Sequence, residues 1–239
     1  MTIGWWSAGI TSAVAIKLRI SLGYNVVPIY FETGSAHADN VRFMRDCEQW
    51  YGCKILTFKQ PKYSSVMDLL SKTKYVNGPA GAECTRALKK EVRQVIEKWM
   101  PYDNQIFGFE FSSKEISRAE RFAEQYPTSR PLFPLIEAKL TKENCLWLLQ
   151  KDGIEIPAMY KLGYRNNNCI GCVKGGMGYW NKIRTDFPSV FKEMAEMERK
   201  KKHSCINGVF LDELDSTRGR YPEEITPECG AYCEIEGNS

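Results

Sequence analysis

The stretch Ile3-Gly4-Trp5-Trp6-Ser7-Ala8-Gly9-Ile10-Thr11-Ser12 decides the fold. Ile3 to Trp6 is a short apolar run. Small residues then turn the chain into Thr11 to Leu22, which carries helical spacing. Small side chains at such a turn let the backbone approach a ligand closely. The start of the helix offers N–H groups with no partner inside the helix, and the positive end of its dipole. Ser7, Thr11 and Ser12 add hydroxyl donors, so Ser7, Ala8, Gly9, Ile10, Thr11 and Ser12 form a candidate cradle for phosphate or sulfate. The same residues also read as an ordinary strand-to-helix turn with Ser and Thr caps.

Outward from this stretch the alternation repeats. Asn25 to Phe31 reads as a second buried strand, Ala38 to Tyr51 as a helix, Lys54 to Phe58 as a third strand, and Ser64 to Lys72 and Thr85 to Met100 as helices. Gln105 to Phe109 is a fourth strand, followed by a helix from Lys114 to Tyr126. Strands buried on both faces and alternating with helices predict an α/β fold with a doubly wound parallel sheet. Crossovers in such a sheet are right-handed, and ligands bind beyond the carboxyl ends of its strands.

From Pro131 the pattern changes. Pro131, Pro134, Pro157, Pro188, Pro222 and Pro227 interrupt shorter helices, and the final segment is polar and poorly patterned. The reading is a nucleotide-binding α/β domain over residues 1–130 and a mainly helical, cysteine-containing C-terminal region over 131–239 packed on it. Thr141 reads as the N-cap of a helix with Asn144 in its first turn.

Composition narrows the class. The chain has 239 residues, 43% of them hydrophobic, enough for a real core. No apolar run approaches the ~18–20 residues of a membrane span. The N-terminus carries no basic leader, so a cytoplasmic protein with no membrane partner is expected. With 33 basic and 29 acidic residues the net charge is +4, too small to argue for wholesale nucleic-acid binding. The run Arg199-Lys200-Lys201-Lys202 reads as a solvated helix end or as a phosphate or RNA contact.

Nine cysteines stand at 47, 53, 84, 145, 169, 172, 205, 229 and 233. An odd count without a secretory signal points to metal or redox chemistry rather than a disulfide framework. Cys169-Ile170-Gly171-Cys172 is a C-x-x-C in a turn rich in Asn and Gly, a spacing that grips one metal or cluster iron, or serves as a redox dithiol. Cys47, Cys53 and Cys145 fall on helix or strand faces and read as small buried hydrophobes.

Several motifs together resemble the phosphoadenylyl-sulfate and adenylyl-sulfate reductase family of the PP-loop (adenine nucleotide alpha-hydrolase-like, HUP-like) superfamily. Ser7-Ala8-Gly9-Ile10-Thr11-Ser12 looks like a degenerate PP-loop, with Ala8 in place of a glycine and Thr11 in place of the aspartate. Glu32-Thr33-Gly34 resembles the family's Asp-Thr-Gly at the end of the second strand, where it borders the adenosine site. Gly108 through Arg118 resembles the family's glycine, arginine and Glu-Ser-x-x-Arg signature with one residue inserted. Glu110 stands near the first arginine, and Arg118 could pair with an anionic substrate group or with a neighbouring glutamate. Pro134-Leu135-Ile136-Glu137 and Tyr160-Lys161-Leu162-Gly163-Tyr164 continue the likeness, which covers residues 3–175 and a fragment near the end.

That fragment, Glu228-Cys229-Gly230-Ala231-Tyr232-Cys233, resembles the reductases' Glu-Cys-Gly-x-His tail, whose cysteine attacks the sulfur of the sulfonucleotide. The resemblance thus implies Cys229 as the catalytic nucleophile. Glu83-Cys84-Thr85-Arg86 resembles the Cys-Cys segment of the cluster-bearing adenylyl-sulfate reductases, with Glu83 replacing one cysteine. A [4Fe–4S] cluster on Cys84, Cys169 and Cys172 is implied, with Cys229, Cys233 or Cys205 as fourth ligand and Cys233 the choice carried forward. A three-cysteine cluster with an open iron, a zinc ion, and no metal at all are the alternatives.

Three functions follow. The first is reduction of an adenylylated sulfate, with a thioredoxin-like dithiol as partner. The second is ATP-dependent, cluster-assisted sulfur transfer from a sulfur donor to RNA or DNA, where Mg²⁺ could sit on Glu32 or another acid. The lost loop aspartate counts against it. The third is a non-catalytic nucleotide sensor or partner subunit.

Overall fold

The computed structural model describes residues 1–77 and 81–220. Strands β1 (Thr2–Trp5), β2 (Val26–Glu32), β3 (Leu56–Lys59), β4 (Asn104–Ile106) and β5 (Pro131–Leu132) form one sheet in the order β3-β2-β1-β4-β5. Every neighbouring pair is parallel. The α/β class and the parallel sheet are therefore as the alternation predicts. Between the strands run α1 (Ile10–Ser21), α2 (Asn40–Tyr51), α3 (Val66–Lys72), α4 (Glu83–Thr85), α5 (Glu91–Trp99) and α6 (Ser113–Gln125).

Both faces of the sheet are covered. Ile3 and Trp5 of β1 share one face with Ile29 and Phe31 of β2, closed by Ile96 of α5 and Ala119 and Phe122 of α6. The opposite face holds Val26, Tyr30 and Ile106 against Val14 and Ile16 of α1 and Phe43 and Cys47 of α2. This second core continues into α7 (Pro134–Glu137) and α8 (Lys142–Lys151), which cover α1 through Leu135, Cys145 and Leu149. A third core lies beside the sheet. It joins Leu69 and Leu70 of α3 and Leu88 to Met159 of α9 (Ala158–Lys161), Trp180 and Ile183 of α10 (Met177–Asp186), and Met194 of α11 (Pro188–Lys201).

Three local features differ from the sequence pattern. Strand β5 is two residues long and begins with proline at the sheet edge, where no periodicity exists to announce it. Strand β4 stops at Ile106 although the apolar run continues. The Phe107 N–H still bonds Leu132 O at 3.0 Å, and Gly108 then leaves the sheet. The helix expected over Thr85 to Met100 is interrupted, because Arg86–Lys90 form a π turn between α4 and α5. A π turn is wider than an α turn and marks many functional sites. Here it puts Cys84, Leu88 and Lys89 on one cavity wall.

The expected cap is present. Thr141 Oγ1 accepts from the Asn144 N–H, and the Thr141 N–H donates to Asn144 Oδ1. Thr141→Ala removes one half of this box and is expected to cost about 1 kcal/mol, read as a lower denaturant midpoint at unchanged slope. Among the described residues no helix is long and apolar enough to cross a membrane.

Strand order reverses at β1. The crevice between the carboxyl ends of β1 and β4 is therefore the switch point of the sheet, the place where such folds open to a ligand.

Candidate functional site

The loop Ser7–Ser12 leaves β1 at this switch point and enters α1. It is braced from within. The Ser7 N–H and Ser7 Oγ both reach Ser12 Oγ, at 3.1 and 2.9 Å, and Ser12 Oγ donates to Gly9 O at 2.9 Å. No acidic side chain occupies the first turn of α1, so its N-terminal dipole is uncompensated there. Ala8 is fully buried at φ 62°, a left-handed conformation that glycine favours. The loop thus keeps the backbone path of a glycine although the residue is alanine. That conformation costs an ordinary residue about 1–2 kcal/mol.

The second strand delivers Glu32-Thr33-Gly34 beside it. Gly34 sits at φ 68°, and a Cβ there would strike Ser64 O. Its N–H donates to Glu32 Oε1 at 2.6 Å, which folds the acid back over its own turn. Gly108 follows β4 and packs on the first loop, since a Cβ at Gly108 would lie 2.6 Å from Ser12 N and Cα. The three motifs therefore meet at one end of the sheet. Arg118 lies on α6 behind them, 4% exposed, with its guanidinium 4.4 Å from the Phe109 ring centroid and 3.2 Å from Glu115 Oε2. The glutamate pair is the partnering that the sequence offered as the alternative to a substrate contact.

The described cysteines have distinct settings, and Cys53, read from the sequence as a small buried hydrophobe, is only partly buried at the edge of the sheet's core. Cys47 and Cys145 are fully buried in the sheet's core, and burial pushes the Cys47 thiol up to about 12. They are inert packing residues, as their positions suggest. Cys84, Cys169 and Cys172 instead line one small cavity together with Thr33, Lys89 and Val173. Three thiols from two distant parts of the chain thus face one cavity. Cys205 lies deeper, buried in the third core, and its thiol is pushed well up by burial and then by Glu198. Cys229 and Cys233 lie outside the described residues.

The cavity tests the metal expectation. Soft thiolate donors suit iron–sulfur or zinc binding. The space is about 20 Å³, room for about one water molecule. Among the described residues no group of three His, Cys, Asp or Glu side chains could hold a metal ion. The donor types agree with a [4Fe–4S] cluster, whereas the room between them does not.

Several contacts at the site carry no sequence signal of their own. Asn167 is buried, and its Nδ2 donates to Ala8 O and to Asn40 Oδ1, both at 2.7 Å. Tyr160 Oη accepts from the Ile10 N–H at 3.3 Å, at the very start of α1. Thr33 Oγ1 lies 3.0 Å from Cys169 Sγ, and the Ile170 N–H donates to Ser35 O at 2.9 Å. The Asn-rich run 166–168 before the cysteine pair was the one visible hint.

The basic run 199–202 is used within the fold. Arg199 pairs with Asp212 and Glu213, and Lys201 donates to the Ser71 and Thr73 carbonyls.

Comparison with known proteins agrees with this geometry. A family model described as the phosphoadenosine phosphosulfate reductase domain matches residues 3–175. Among solved structures, the chain is similar to phosphoadenylyl-sulfate (PAPS) reductase from Candida auris, crystallised as a phosphate complex. The TM-score is 0.51 and the sequence identity 13%, over 70% of this chain and 80% of that one. At that identity the likeness shows the fold. No curated protein sequence matches the chain.

Proposed function

We propose, for a chain that belongs to the phosphoadenosine phosphosulfate reductase domain family, that it binds an adenosine phosphosulfate at the switch point and reduces it through cysteine chemistry. The observation that carries this reading is the meeting of Ser7–Ser12, Glu32–Gly34 and Gly108 at the carboxyl end of the sheet, beside a thiol-lined cavity. Residues 7–12 offer the helix N-terminus and hydroxyls to a sulfate or phosphate group. Glu32, Thr33 and Gly34 border the nucleoside, and Arg118 supports the far wall. Phosphate in the Candida auris complex agrees with an anion-binding role.

The chemistry assigned to Cys229 is nucleophilic. Its thiolate attacks the sulfur of the sulfonucleotide, the sulfur–oxygen bond to phosphate breaks, and the nucleotide leaves. The enzyme is left as a cysteine S-sulfonate. A thioredoxin-like dithiol then attacks the Cys229 sulfur and releases sulfite. Its second thiol closes the disulfide and frees Cys229. Sulfur gains two electrons and the dithiol loses two. The [4Fe–4S] part of the reading, with Cys84, Cys169, Cys172 and Cys233 as ligands, stands on donor type alone, and no step is routed through it.

RNA or DNA thiolation, the second reading, keeps less of its basic run, because Arg199 is paired with Asp212 and Glu213 and Lys201 with the Ser71 and Thr73 carbonyls. The site retains no acid at position 11 to hold Mg-ATP.

The test is thermal. A saturating adenosine phosphosulfate, at ~100 times its dissociation constant, adds about 2.7 kcal/mol to stability and should raise the melting temperature. Cys229→Ser should keep that shift and lose sulfite release. A chain that melts identically with and without the ligand does not have this function.

A further inference from the structure

The segment Asn167–Cys172 touches both turns that border the proposed nucleotide site. At one end Asn167 ties the Ser7–Ser12 loop through Ala8 O and α2 through Asn40. In its middle Thr33 Oγ1 meets Cys169 Sγ at 3.0 Å and Ser35 O takes the Ile170 N–H at 2.9 Å. At its far end Tyr179 Oη accepts from the Cys172 N–H at 2.9 Å and donates to Cys169 O at 3.1 Å. Tyr179 is buried on α10, in the third core. The cysteine pair is thus held between a fixed anchor in that core and the two turns that border the nucleotide.

We infer that Thr33 is a positioning residue that couples nucleotide occupancy to Cys169. The inference rests on the nucleotide reading above. Thr33 is 5% exposed, with its backbone in the adenosine-bordering turn and its hydroxyl on the thiol. A ligand that settles the Glu32–Gly34 turn therefore fixes the hydroxyl, and the hydroxyl fixes the sulfur. Valine at this position keeps the shape and deletes the hydroxyl. Serine keeps the hydroxyl and deletes only a methyl group.

The experiment uses the reduced full-length chain, with adenosine 5′-phosphosulfate as the probe. The alkylation rate of Cys169 at one pH is followed by peptide mass spectrometry, with and without the nucleotide, and melting is measured on the same samples. In the wild type the nucleotide should slow Cys169 alkylation about fivefold or more, the low end of ordinary coupling between sites. At nucleotide concentrations that saturate each variant's own melting shift, Thr33→Val should lose the rate difference, and Thr33→Ser should restore it. A mere steric shield would persist in Thr33→Val, so a variant that still protects Cys169 overturns the inference. So does a Cys169 whose rate ignores the nucleotide while the melting shift is intact, and so does a Thr33→Ser that fails to restore the response. Loss of the melting shift in the wild type removes the nucleotide reading itself, and the coupling with it.

Discussion

Gly108→Ala is expected to abolish nucleotide binding and to lower the melting temperature by about 6–12 °C, a shift that corresponds to about 3 kcal/mol in a chain of this size. The cause is steric. The added Cβ would lie 2.6 Å from Ser12 N and Cα and 2.9 Å from Thr11 C. These are backbone atoms of the first turn of α1, so no side-chain rotation relieves the contact. Helix α1 is fixed on its other side, where Val14 and Ile16 are buried against the sheet. The loop must therefore yield. Displacing Ser12 breaks its bonds with Ser7 and Gly9, which shape the cradle. Gly34→Ala offers a comparison at the neighbouring turn, where the clash is with Ser64 instead. An alanine variant at Gly108 that melts and binds nucleotide like the wild type would show that β4 and α1 do not approach as described.

The same contact shows what the sequence could disclose. Gly108 is legible in the sequence as a likeness to a family position, within an expected strand that runs on to Phe109, and the sheet and its order of helices are readable from buried runs such as Asn25 to Phe31. Periodicity reports which face of an element is buried. It does not report which distant loop comes to rest on it. Asn167 enters the site only through a contact that spans 159 positions, and the partners of Tyr160 and Thr33, 150 and 136 positions away, are equally silent in the sequence although both residues lie in motifs that it shows. The π turn at 86–90 is hidden for a related reason, since no residue type marks where a helix widens by one residue. The cysteines were legible as a set by spacing and resemblance. Their room was not, because cavity volume depends on side chains from α3, the π turn and the 169–173 segment at once.

Asn167→Asp should be the most damaging near-isosteric change at the site, and its damage should depend on pH. The native amide donates both its protons, one to Ala8 O and one to Asn40 Oδ1. An ionised carboxylate of the same shape donates none and faces two oxygens in a buried position. The expected loss is about 3–5 kcal/mol at pH 8. Protonation restores one donor, so the introduced carboxyl has a folded-state pKa raised above its unfolded value of ~3.9. Stability is then retained below the unfolded value and is lost as pH rises through the raised one, so the deficit shrinks toward pH 5. Asn167→Ala separates the two contributions. It leaves both acceptors unpaired at about 1–3 kcal/mol with no titrating group, so its deficit should be flat over the same range. Equal deficits at pH 5 and pH 8 for the aspartate variant would refute the donor assignment. The effect should reach the ligand as well. Ala8 is held in a left-handed conformation costly for alanine, and the bond from Asn167 to its carbonyl is a contact that holds it there. Once that bond is replaced by repulsion, the peptide at Ala8 loses its hold, and with it the placement of the Gly9 and Ile10 N–H groups, which now point to Ser7 Oγ and Tyr160 Oη.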